Sequence, residues 1–241
     1  MRTLIVSDVH SNLTALDAVI AAAEADGPLD GVWCLGDTVG YGPWPLETVW
    51  RIRSLDAVCI QGNHDAGAIG RISLDTFNYA AREACRWNGM QLDDEARSFL
   101  EALPDTVAVA GFTLVHGTPR DPLWEYLTGH ADAVAALASI RKRDALVGHT
   151  HHQFAFEDGR GAVMPGPGGL TVTRDGGRLV VNPGSVGQPR DRDPRAAFAV
   201  YDSEMDTLSL RRAAYDIAAV QRAMEAAGLP EPLISRLSAG R

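Results

Sequence analysis

Histidine, aspartate and asparagine recur in this chain at the ends of short apolar runs. His10 stands in SDVHSN (7–12) after TLIV, with Asp8 two positions before it. Asp37 stands in LGDTVGYG (35–42), and Asn63, His64 and Asp65 in GNHD (62–65) after AVCI. His116 follows FTLV, and His149 and His151 belong to VGHTHH (147–152) after DAL. Imidazole and carboxylate together suit borderline first-row metals. No CxxC spacing occurs, and Cys34 and Cys59 sit inside apolar strand-like runs rather than in the blocks, which argues against a structural zinc site. On an extended segment, residues two apart share a face, so Asp8 pairs with His10 and His149 with His151. Seven candidate ligands (Asp8, His10, Asp37, Asn63, His116, His149 and His151) are too many for one ion. They suit two ions about 3.5–4 Å apart that share a bridging carboxylate, the arrangement used for in-line displacement at phosphorus.

Each block also has an ordinary reading as a helix cap, a turn or a hydrogen-bonded strand end. What favours chemistry is where the blocks fall. RTLIVS (2–7), GVWCLG (31–36) and AVCIQG (57–62) read as buried strands. Between them, the spacing of Leu13, Leu16, Val19, Ile20 and Ala23 predicts a helix that ends at Gly27-Pro28, and Pro45 to Leu55 predicts a second. This βαβαβ start predicts a parallel sheet with crossover helices. In such a sheet, ligands bind beyond the carboxyl ends of the strands, and five strand ends here carry Asp, Asn or His.

Residues 66–103 read as helices with no strand between them, so they form a helical insert. TVAVA (106–110) and FTLVHG (112–117) read as a hairpin, followed by a helix near 130–142 and the strand ALVGH (145–149). Short strands and turns run to about Arg212, with a Gly/Pro-rich loop at 159–169, and helices close the chain from Asp216. Two batches of strands predict two packed sheets with helices outside. No repeat or linker divides the chain, so residues 1–241 read as one domain.

Composition narrows the function. Twenty-two basic against 31 acidic residues give a net charge of −9, which argues against a nonspecific grip on nucleic acid. It leaves room for an anionic substrate, because bound cations reverse the local field. Cys34 and Cys59 sit in apolar runs and Cys85 in a helical one, so free buried thiols are expected. The first residues lack the apolar run of a signal peptide, and no stretch approaches the roughly 20 residues of a membrane span. A cytoplasmic protein is the expectation.

Taken together, Asp8-x-His10, Gly36-Asp37, Gly62-Asn63-His64-Asp65, His116-Gly117 and Gly148-His149-Thr150-His151 resemble the calcineurin-like metallophosphoesterase superfamily. NPGSVGQPRD (182–191) resembles the closing segment of its small prokaryotic phosphodiesterase-like branch. The resemblance covers about four-fifths of the chain and implies an α/β fold of four layers, αββα, in which two mixed sheets are flanked by helices. It implies two divalent ions drawn from Mn, Fe, Zn, Ni or Mg, with Mn favoured. Asp8, His10 and His151 would hold the first, Asn63, His116 and His149 the second, and Asp37 would bridge them. His64 would face the substrate as general acid or hydrogen-bond donor, and Asp65 would orient its ring. The expected activity is hydrolysis of a phosphodiester or of a nucleotide such as a dinucleoside polyphosphate, with the insert bordering the pocket. A phosphomonoesterase is the alternative, and a nuclease or a non-catalytic scaffold fits less well because every ligand position and His64 are filled. In one respect the chain departs from the family's protein phosphatases. They carry an Asp-Arg pair after the Gly-Asp block, where this chain has Gly40 and Tyr41. Arg190 then becomes the candidate phosphate contact, with pairing to Asp191 or Asp193 as its ordinary alternative. Tyr41 is a candidate to stack on a base, with turn packing as its alternative.

Overall fold

The computed structural model describes residues 1–241. In chain order, strand β1 (Arg2–Val6), helix α1 (Leu13–Glu24), β2 (Gly31–Cys34), α2 (Pro45–Ser54) and β3 (Val58–Cys59) form the expected βαβαβ start. Helices α3 (Asn63–Ala68), α4 (Tyr79–Gln91) and α5 (Asp94–Glu101) follow. Then come β4 (Thr106–Val109), β5 (Phe112–Val115), α6 (His130–Ser139), β6 (Asp144–Leu146), β7 (Gln153–Glu157), β8 (Gly161–Val163), β9 (Leu170–Thr173) and β10 (Leu179–Pro183). Strands β11 (Ala196–Asp202) and β12 (Thr207–Ala213) and helices α7 (Ile217–Ala226) and α8 (Glu231–Ala239) complete the chain.

The strands make two six-stranded mixed sheets, β3-β2-β1-β11-β12-β9 and β4-β5-β6-β10-β7-β8. In the first, β1 and β2 run parallel in the register Leu4↔Val32, and β11 returns antiparallel to β1. Alternation along the strands decides which side chains meet between the sheets. Ile5, Trp33 and Leu35 of the first sheet pack there against Phe112, Leu114, Leu146 and Val181 of the second. The opposite face of the first sheet, with Leu4 and Val6, buries Leu16, Val19 and Ile20 of α1. The far face of the second sheet buries Ala133, Ala136 and Leu137 of α6. The result is the four-layer αββα sandwich expected from the sequence.

Two features depart from the expected boundaries. β3 is only two residues long, because after Cys59 the chain turns away toward α5. There the Gln61 N–H donates to Pro104 O at 2.9 Å and the Gln61 side-chain amide donates to Leu100 O at 2.6 Å. The 159–169 segment is not a free loop. It contains β8, which pairs antiparallel with β7, and it leads into β9 at the edge of the other sheet.

Candidate active site

The ligand candidates converge at one end of the sandwich. His10 Nε2 lies 3.9 Å from Asp8 Oδ1 and 3.1 Å from His151 Nε2, and His151 Nε2 lies 3.2 Å from Asp8 Oδ1. Alongside, His116 Nε2 lies 3.1 Å from Asn63 Oδ1, and Asp37, His116 and His149 form a second cluster of donor atoms. Asp37 Oδ2 sits between the groups, 3.6 Å from His10 Nε2 and 3.3 Å from His116 Nε2. Donors about 2.1 Å from a common ion are about 3 Å apart when adjacent, so this spacing matches ligand edges.

Hydrogen bonding leaves the right atoms free. His10 Nδ1 donates to Val39 O at 3.1 Å, His116 Nδ1 to Leu35 O at 2.8 Å and His151 Nδ1 to Gln188 O at 2.6 Å. Each bond fixes the ring and turns the Nε2 lone pair inward. Asp8 Oδ2 accepts from Ser7 Oγ and the His149 N–H, and Asp37 Oδ1 accepts from the His64 N–H. The inward atoms Asp8 Oδ1, Asp37 Oδ2 and His149 Nε2 are buried with no hydrogen-bond partner. Buried polar atoms are rarely left so, and cations at these positions satisfy all of them. The residues therefore fit divalent metal ions.

The electrostatics agree with that chemistry. Burial pushes His10 well below the usual imidazole range and takes His149 down to about 3, so both rings are neutral, as ligands must be. Burial opposes ionisation of Asp37, but His116 beside it wins and holds the carboxyl well below its usual range. Burial likewise opposes charge on His116, yet Asp37 lifts it to about 10.

The backbone is held in an uncommon conformation at the same positions. Asp8, His10, Asp37, His149 and His151 all have φ between 49° and 64°. A left-handed non-glycine residue costs about 1–3 kcal/mol and persists only when its surroundings enforce it. The enforcing contacts are visible. Ser185 Oγ donates to Asp8 O at 2.8 Å, and the Asn182 side-chain amide donates to Gly148 O at 2.7 Å. The NPGSVGQ segment thus supports the metal loops from behind. Gly62 is needed for space rather than for a special turn. Its φ is −100°, but a Cβ there would collide with the Asp37 carboxylate and backbone.

The helical insert supplies a support that no motif announced. Asn88 of α4 is fully buried. Its Oδ1 accepts from Ser11 Oγ at 2.5 Å and from the Gly40 N–H at 2.9 Å, while its amide donates to Gly42 O at 3.1 Å. One side chain thereby ties the loop bearing His10 to the loop bearing Asp37. Asn88→Ala would leave these groups unsatisfied, at a cost of about 2 kcal/mol. The expected result is a melting temperature lower by about 4–8 °C and metal affinity weaker by about tenfold, read by calorimetry. Unchanged values for both would show that the tie is idle.

Two expectations need correction, and for a third residue the alternative reading falls away. Asp65 does not orient the His64 ring. Its carboxylate accepts from the Val39 N–H and the Gly62 N–H, both at 3.0 Å, so it caps α3 and links two loops. Tyr41 offers no face to a base. It is 6% exposed, packed at ring-centre distances of 4.5 Å from His10 and 4.4 Å from His64. Arg190 is not paired with the neighbouring acids, since Asp191 bonds Arg212 and Asp193 bonds Arg195. Its guanidinium instead donates to Tyr41 Oη at 3.2 Å and Gln188 Oε1 at 3.0 Å, and its Nε is buried without a partner. Arg236 of α8 donates to the same Gln188 oxygen at 3.2 Å, so two cations converge there on one neutral acceptor.

His64 is buried and stands edge-on to His10 and Phe77, at 4.9 Å from each. Its Nδ1 has no partner, and burial takes its pKa down to about 4. Tyr126, absent from the motifs, lies nearly parallel on the His149 ring at 4.0 Å. His152 donates to or accepts from nothing at the metal cluster; its Nε2 bonds Arg190 O at 3.0 Å.

Comparison with known proteins agrees with this geometry. A calcineurin-like phosphoesterase superfamily domain model matches residues 1–206. The chain belongs to the calcineurin-like phosphoesterase superfamily. It is similar over its whole length to the crystal structure of a metallophosphoesterase from Sphaerobacter thermophilus, with 42% identity, a TM-score of 0.91 and 99% of that chain covered. It is 35% identical to an uncharacterised protein of Methanocaldococcus jannaschii, over 98% of this chain and 97% of that one. It is 30% identical to a symmetrical bis(5'-nucleosyl)-tetraphosphatase of Aromatoleum aromaticum, over 48% of this chain and 44% of that protein. The chain spans less than half the length of the tetraphosphatases it matches. As a calcineurin-like metallophosphoesterase, it is a hydrolase of phosphoester bonds. No helix is long and apolar enough to cross a membrane.

Proposed function

We propose that the chain is a dinuclear, manganese-favouring phosphodiesterase or nucleotide hydrolase whose substrates include dinucleoside polyphosphates. One observation carries the reading. A single unpartnered oxygen, Asp37 Oδ2, lies within 3.6 Å of imidazole nitrogens belonging to two separate donor groups. In this reading Asp8, His10, His151 and Asp37 hold one ion, and Asp37, Asn63, His116 and His149 hold the other. When bound, such ions make water a competent nucleophile near neutral pH and neutralise phosphoryl oxygens.

The protein's own groups do the rest. Arg190, without a carboxylate partner, binds a phosphoryl oxygen through its free donors. His64 packs on the Tyr41 ring that Arg190 bonds, and it serves the leaving oxygen as acid or hydrogen-bond donor. Asp65 and Asn88 hold the loops still, and residues 66–103 form one wall of a single 1–241 domain. The tetraphosphatase likeness and a guanidinium bonded only to neutral acceptors support a substrate with more than one phosphoryl group or an esterified one. The unpaired buried thiols Cys34, Cys59 and Cys85 accord with a reducing, cytoplasmic setting.

The test is a substrate panel on protein stripped of metal and reloaded with Mn²⁺. Bis(p-nitrophenyl) phosphate or diadenosine tetraphosphate should exceed p-nitrophenyl phosphate in kcat/KM by at least about tenfold, the discrimination that one well-fitted substrate group confers. The opposite order would make the protein a phosphomonoesterase. No turnover of any of the three would overturn the reading.

A further inference from the structure

A cavity of about 540 Å³ opens beside the metal cluster. Its walls are Tyr126 from the β5–α6 connection, His130 of α6, Phe154 and Phe156 of β7, and Met164 just after β8. Thr150, which stands between His149 and His151 in sequence, and Arg190 complete the lining. The size falls within the usual range for small-ligand sites, which are mostly apolar with a few convergent polar groups.

The shape of the walls selects an occupant. Tyr126 is held flat against His149 and is still 49% exposed, so its ring borders both the ligand and the cavity. Met164, 55% exposed, also lines the cavity, a polarisable side chain suited to an aromatic partner. His130 meets Phe156 edge-on at 5.1 Å, which makes a further aromatic surface. Arg190 marks the junction. It lines the cavity, its backbone N–H donates to His151 O at 3.3 Å, and its guanidinium donates to Tyr41, which packs on His10 and His64, so it lies between apolar space and reaction site. A ligand with an anionic phosphoryl end and a flat, uncharged, heteroaromatic end matches that division.

We infer that this cavity is a base-binding subsite, which seats the purine of a nucleoside phosphoester while its phosphoryl group lies at Arg190 and the metal cluster. The substrate class rests on the phosphoesterase reading above, but the binding of the base does not require turnover. Ala162 of β8 lines the cavity, is exposed on an edge strand and belongs to none of the ligand blocks, so a large side chain there fills the space without touching the metal loops.

The experiment is equilibrium dialysis of adenosine, which has no phosphate, against the Mn²⁺-loaded full chain. Wild type should bind it with a dissociation constant of about 0.1–5 mM, in keeping with a ligand of that size. Ala162→Trp, which fills the cavity, and separately Met164→Asp, which sets a charge against the base, should each weaken binding by at least about tenfold, about the worth of one stacked base. Two variants of different chemistry guard against one that misfolds. Absence of adenosine binding by wild type, or unchanged binding in both variants, would overturn the inference. Bis(p-nitrophenyl) phosphate turnover, measured on the same preparation, separates the two readings. Adenosine bound and displaced as described, with no phosphoester turnover, would uphold the subsite and reject the parent reading.

Discussion

Asp37→Ala is expected to lower phosphoester turnover by at least about a thousandfold and to reduce the bound ions from two to one or none. Asp37 is the one carboxylate whose free oxygen faces both donor groups, at 3.6 Å from His10 and 3.3 Å from His116. Removing it takes a ligand from each ion and leaves His116 without the negative partner beside it. It also frees the His64 N–H that its other oxygen accepts at 2.8 Å. Charge compensation by such ions supplies several kcal/mol in the transition state, and each 1.36 kcal/mol is a factor of ten. Metal analysis and steady-state kinetics on the purified variant give both numbers. Two retained ions with a modest loss of rate would remove Asp37 from the bridging position.

His64→Ala separates chemistry from metal binding. The bond that His64 makes to Asp37 comes from its backbone, so truncating the ring leaves it in place. No ring nitrogen of His64 bonds to a ligand side chain, and its Nδ1 has no partner. The expected result is an unchanged ion count with turnover down by about 100- to 10,000-fold, the usual range for removal of a proton donor. The loss should be greater for an alkyl leaving group than for p-nitrophenolate, which departs without a proton. Loss of an ion would instead place His64 among the ligands, where His10, Asp37 and His64 also come close together.

Much of this site was readable because it obeys local rules. Apolar runs bury themselves as strands, parallel strands point their carboxyl ends the same way, and the residues just beyond them must meet. Asp8, His10, Asp37, Asn63, His116, His149 and His151 become candidates from that logic alone. Separating His64 from the ligands needed the resemblance as well, because it shares with Asn63 the first turn of a helix that follows a strand of only two residues.

What could not be read depends on packing between distant segments. Asn88 sits in a helix whose sequence gives no hint that its amide reaches back to Ser11, Gly40 and Gly42. Tyr126 follows the His116 block closely enough to be a candidate pocket wall, with core packing as its alternative, and only the folded chain lays it on His149. For Arg190 the adjacent acids suggested an ion pair, but β12 and the 193–195 turn supply Arg212 and Arg195 to them first. Asp65 invited a catalytic role by standing next to a histidine. Capping the first turn of α3 decided otherwise, because the helix end leaves N–H groups that need an acceptor. Arg236 lies on a helix beyond the matched domain, and its approach to Gln188 is visible only once α8 has packed.

The most direct test of the central claim is anomalous scattering from crystals of the wild-type protein grown with Mn²⁺. The geometry predicts two peaks about 3.5–4 Å apart, one on either side of Asp37 Oδ2, the first also touching Asp8, His10 and His151 and the second Asn63, His116 and His149. A single peak, or two peaks of which only one touches Asp37, would contradict it.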